Sequence, residues 1–140
     1  MADFSINLGD IFLLDTGAEK NHWYIAIASM SDDKFVFVNI STWYEGSTDN
    51  DGTCILQPGQ RMPRFIRQKS FLAYRHAISA TADQLKKLIA PDSEIPYDEL
   101  EPQVLRRIQK ESCNAKNLSK KYLKAVLDTA KAAGILTQRE

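Results

Sequence analysis

The chain has 140 residues, 44% of them hydrophobic, which is enough for one domain with a real core and too apolar for a disordered segment. Eighteen basic residues offset eighteen acidic ones, so no bulk field directs the chain to DNA or to an anionic membrane. Residues 1–5 do not read as a signal peptide, no apolar run approaches a membrane span, and Cys54 and Cys113 lack metal-ligand spacing, so a cytoplasmic protein with two reduced, packed thiols and no membrane contact is expected.

In chain order, apolar runs at residues 11–14, 24–28 and 35–40 are bounded by Gly, Asp, Ser and Asn, the pattern of consecutive short strands. The polar loop between the first two ends in Lys20, Asn21 and His22, whereas residues 29–34 make a plain solvent-facing turn. Residues 44–52, with Gly46, Asn50 and Gly52, predict an exposed loop of the kind that borders a site. Residues 53–56 resume a strand that Pro58 and Gly59 close. Next come Arg61, Arg64, Arg67 and Lys69, four cations in nine residues without an acid. Residues 71–78 predict the last good strand, with Leu72, Tyr74, His76 and Ile78 alternating onto a buried face.

Beyond this strand the apolar period lengthens from two to about 3.6. Thr81 and Gln84 form a capping box for a short helix over 82–90, which Pro91 ends. A second helix is expected over 97–113, with Leu100, Val104, Leu105 and Ile108 as its apolar stripe and Pro102 near its first turn. Ser119 caps a third, whose stripe is Tyr122, Leu123, Val126, Leu127, Ala130 and Ala133 and whose stop is Gly134. Together these elements predict an α+β fold. A small antiparallel SH3-like β-barrel of about five strands occupies residues 1–80, and two or three C-terminal helices over 81–140 pack on it. Curling is favoured because it removes exposed edges; an open meander covered by helices is the alternative.

The order GDIFLLD at 9–15, the polar loop, WYIAIAS at 23–29 and VNIST at 38–42 resembles the MazF/PemK-like toxin family. The middle segments TCILQPG, RMPRFI and KSFLAY, within residues 53–74, are similar to a divergent, uncharacterised branch of that group. The resemblance implies an SH3-like barrel and a metal-independent endoribonuclease of a toxin-antitoxin system. Such an enzyme cuts single-stranded RNA without a cofactor, works as a homodimer and is neutralised by a co-encoded antitoxin protein. It also implies that a basic residue of the first loop and a Ser or Thr ending the third strand do the work, which by position are Lys20 or His22, and Ser41 or Thr42. Where the family has an Arg-Pro pair at the start of the second strand, this chain has His22 and Trp23, and the His of the branch's middle pattern is absent.

Cleavage of RNA by its own 2′-hydroxyl needs a base for that hydroxyl, an acid for the leaving oxygen and a cation for the crowded phosphate. His22 suits proton transfer, Lys20 the phosphate charge, and Ser41 or Thr42 a hydrogen bond to the phosphate oxygens; the plain alternative is that His22 and Lys20 are solvated loop residues. Arg61, Arg64, Arg67 and Lys69 suit an RNA backbone, with Trp43 and Tyr44 as stacking faces, and suit an exposed strand face equally well. His76, among apolar neighbours, reads as a packed histidine and Cys54 as a buried thiol. The acid pairs Asp32 with Asp33 and Asp49 with Asp51 match no calcium-loop spacing, so no metal is expected. The second functional reading is a non-catalytic SH3-like binding module for protein or nucleic acid, which the missing Arg-Pro pair and the missing His favour.

Overall fold

A computed structural model describes residues 5–17, 19–31 and 33–135; residues 1–4 and Asp32, both read above, lie outside these. The strands are β1 (Asp10–Leu14), β2 (His22–Ser29), β3 (Phe35–Thr42), β4 (Ile55–Leu56), β5 (Ser70–Ala80) and β6 (Asp98–Glu99). The helices are α1 (Ala82–Lys86), α2 (Pro102–Ser112) and α3 (Lys120–Ala132). The six strands form one curled antiparallel sheet in the order β4-β5-β3-β2-β1-β6.

Both faces of this sheet are covered, which explains why its strands read as continuous apolar runs rather than as clean alternations. On one face Ile11, Ile25, Ile27, Val36, Val38, Leu72 and Tyr74 share a core with Val104 and Ile108 of α2 and with Ala125 and Val126 of α3. On the other, Phe12, Leu14, Tyr24, Ala26 and Phe37 pack with Ile6, Ala80 and Leu85. Among the described residues no helix is long and apolar enough to cross a membrane. Cys54 is buried and Cys113 half-buried, and both are free thiols that burial pushes above their ordinary pKa.

The strand β6 was not expected. Residues 97–101 do not begin the second helix: Asp98 and Glu99 pair with Ile11 and Asp10 of β1, and the Tyr97 and Leu100 N–H groups donate to the carbonyls of Ile11 (2.7 Å) and Gly9 (3.0 Å). Pro102 decides the boundary. Its ring pushes Glu101 to an extended conformation (φ −61°, ψ 145°), and its own fixed φ suits the first helical position. The capping box does open α1, with Thr81 Oγ1 accepting the Gln84 N–H and Gln84 Oε1 accepting the Thr81 N–H. The helix stops at Lys86, short of Ala90, because the Asp15 N–H takes the Leu88 carbonyl at 2.7 Å and the Ala90 N–H goes to Leu13 at 2.9 Å.

The packed-histidine reading of His76 is also corrected. Ile78 pairs with Phe37 and Ala73 with Asn39, so residues 74–77 of β5 oppose Val38 alone in a wide bulge. Leu72 and Tyr74 face the helices, but Ile78 packs into the opposite core, and His76, within the bulge, is exposed. In α3, Ser119 accepts the Tyr122 N–H at 3.2 Å, and Gly134 ends the helix at φ +75°, a left-handed conformation that glycine adopts without strain. Val126 and Ala130 are buried as the stripe predicts; Ala133 is exposed, and Ala125 and Thr129 take buried places instead.

Candidate functional site

The second core runs out into polar chemistry at one end of the sheet. Alternation along β3 puts Phe37, Asn39 and Ser41 on one face, so the side chains pass from a fully buried ring through a buried amide to a half-buried hydroxyl. The register sets Tyr24 beside Asn39 on β2, with His22 on the same face, and sets Ala73 and Phe71 beside Asn39 and Ser41 on β5. Where these strands meet the loop after β3, Lys20, His22, Ile40, Ser41, Thr42, Tyr44, Ser47, Asp49, Asn50 and Phe71 line a cleft of about 260 Å³.

Hydrogen bonds fix both walls. Ser41 Oγ donates to Asn39 Oδ1 at 2.6 Å. Burial raises the pKa of the Tyr24 phenol, against hydrogen bonds from the side chains of Thr16 and Asn39 that lower it. In the loop, the Tyr44 N–H donates to Asn50 Oδ1 (3.3 Å) while Asn50 Nδ2 donates to the Tyr44 carbonyl (2.7 Å), a reciprocal clamp across the turn. Asp51 ties the loop down by accepting from the Thr53 N–H at 2.9 Å and from Asn117 Nδ2 at 3.0 Å. At the exposed rim, Arg75 Nη1 lies 3.4 Å from Asp49 Oδ1.

All four residues singled out for catalysis, Lys20, His22, Ser41 and Thr42, line this one cleft, and Tyr44 joins them with 63% of its surface exposed. The basic cluster does not assemble there. Arg61 hydrogen-bonds Gln103 on α2. Arg64 and Arg67 line a separate cavity of about 920 Å³ with Trp23, Phe65 and Tyr97, in the company of Asp92, Glu94 and Asp98. Trp23 and Phe65 stack there at 4.3 Å. Lys69 sits with Nζ 4.3 Å from the ring centre of Trp43, which meets Phe71 edge-on at 5.9 Å.

The site-bordering loop over 44–52 is legible in the sequence, but the cleft's Ile40 and Phe71 and the flanking Asn39 and Arg75 are not. Asn39 is an amide inside an apolar strand, a signal that a buried polar contact lies beside it. Arg75 alternates with Phe71 and Ala73, but its pairing with Asp49 depends on the bulge that no periodicity shows. Among the described residues no group of three His, Cys, Asp or Glu side chains could hold a metal ion. The cleft offers the His22 imidazole, the Lys20 ammonium, hydroxyls, the Asn50 amide and the Asp49 carboxylate, the last of these beside Arg75. No family model matches the sequence, and no curated protein matches it.

Proposed function

We propose that the chain is an endoribonuclease of the MazF/PemK kind on an SH3-like barrel, cutting single-stranded RNA without a metal. On this reading it is a cytoplasmic homodimer restrained by a co-encoded antitoxin. The observation that carries the reading is the meeting of Lys20, His22, Ser41 and Thr42, drawn from two separate parts of the chain, in one solvent-open cleft. In the reaction, neutral His22 takes the proton of the 2′-hydroxyl as the 2′-oxygen bonds to phosphorus. The bond from phosphorus to the 5′-oxygen breaks, and that oxygen leaves with a proton from the Lys20 ammonium, whose charge has steadied the crowded phosphate. The products are a 2′,3′-cyclic phosphate and a 5′-hydroxyl; water then takes the proton from His22 and restores that of Lys20. Arg75, held by Asp49 at the rim, supplies a second cation for the RNA backbone.

The test is incubation of purified protein with long single-stranded RNA in a chelator. Cleavage that leaves cyclic phosphate ends is expected, and His22→Ala should slow it by about 100-fold or more, the usual weight of one positioned acid–base group. No cleavage by the wild type, or equal cleavage by His22→Ala, rejects the reading and leaves the binding module.

A further inference from the structure

We propose that Ser41 meets its ligand as a hydrogen-bond acceptor, held in that state by Asn39, so that the cleft places a hydrogen-bond donor of the RNA there rather than a phosphate oxygen. This inference rests on the ribonuclease reading and says which part of the RNA lies against Ser41. A serine hydroxyl has one proton and two lone pairs. The Ser41 proton is committed to Asn39 Oδ1 at 2.6 Å, which leaves Oγ with only its lone pairs to offer.

The commitment is enforced from behind. Asn39 is 3% exposed, and the register sets it directly beside Tyr24 across β2 and β3, so no water reaches its amide to replace a lost partner. The amide oxygen faces Ser41, whose proton it takes at 2.6 Å. If Ser41 turned its proton to a phosphate, Asn39 Oδ1 would be left buried without a donor, at a cost of roughly tenfold in affinity. An incoming donor carries no such cost. Thr42, which also lines the cleft and makes no hydrogen bond through its hydroxyl among the described residues, is free to donate to the phosphate beside Lys20. The donor at Ser41 has two sources. One is the 2′-hydroxyl of a nucleotide flanking the cut, since the attacking hydroxyl gives its proton to His22; the other is a base N–H.

The experiment uses His22→Ala protein, whose turnover is slowed about 100-fold on the ribonuclease reading so that binding is read before cleavage, and one oligonucleotide that the wild type cuts. Affinity is measured for the unmodified probe, for a 2′-fluoro form that accepts but cannot donate, for a form with methylated base N–H groups, and for one with a methylphosphonate at the cut linkage. Either the fluoro or the methylated probe should bind roughly tenfold more weakly than the unmodified one, and which of them does so identifies the source. Adding Ser41→Ala should erase that difference and leave the methylphosphonate effect in place. Asn39→Asp, which still accepts the Ser41 proton, should keep the difference, whereas Asn39→Leu should lose it, both variants being checked for a native melting transition. Loss of the methylphosphonate effect in Ser41→Ala, or an equal loss for every probe, overturns the inference while cleavage by the wild type stands. RNA that the wild type neither binds nor cuts overturns the ribonuclease reading with it.

Discussion

Asp10 opens β1 with only 4% of its surface exposed, its Oδ2 accepting the Asn7 N–H at 2.9 Å and Glu99 paired beside it on β6. Burial raises its pKa, the Asn7 hydrogen bond opposes this, and the Glu99 charge raises it further. A carboxyl whose folded pKa lies above its unfolded one is held better protonated, so stability is whole below the unfolded value and declines as pH rises through the folded one. Asp10→Asn keeps an acceptor for Asn7 and removes the charge. It should melt higher than the wild type at pH 7, with the gap closing as pH falls below the carboxylate range; thermal melts of both proteins from pH 3 to 8 check this. At the same scale, the candidate site is legible in part. Lys20 and His22 stand out because a polar loop isolates them, and Ser41 and Thr42 because they end an apolar strand. Asn39 is harder to interpret, since its role depends on Tyr24, fifteen positions earlier, and only the β2–β3 register brings the two together.

Among the elements, β2 shows how the helices are held in place. Its register against β3 shifts between Ala26 and Ala28, leaving Ile27 as an extra residue whose carbonyl accepts from Gln109 Nε2 of α2 at 3.1 Å. Two residues on, the Ser29 N–H donates to Thr129 Oγ1 of α3 at 3.2 Å. Each helix thus gives one buried polar side chain to backbone groups that the sheet leaves unpaired. Thr129→Val preserves shape and removes the acceptor. It should cost about 1 kcal/mol in urea denaturation, with Thr129→Ser recovering most of the loss. Such contacts mark the limit of periodicity. The stripe of α3 is readable at Val126 and Ala130, but a threonine in the buried position reads as polar, so the true face of the helix is rotated from the expected one. For the same reason β6 is invisible: two consecutive acids in the short stretch between Pro96 and Pro102 carry no strand signal, and β1 alone makes them a strand.

For the whole molecule, the order of elements and the α+β class follow from apolar runs and caps, whereas the curl and the two-sided core depend on bulges and on pairings far apart in sequence. The sheet cannot cover its helical face without α3, because Ala125 and Val126 sit in the same core as Ile27 and Val36. A chain ending at Leu118 should therefore lack a cooperative melting transition and should be cut rapidly by protease, while the full chain resists. The hydrogen bond from Ser29 to Thr129 joins positions 100 residues apart, so this part of the sheet is secured only by a segment far along the chain. Strand β2 is therefore translated well before the α3 segment that covers its face. Pairings of such sequence separation make chain closure across the sheet, rather than local helix formation, the slow part of folding.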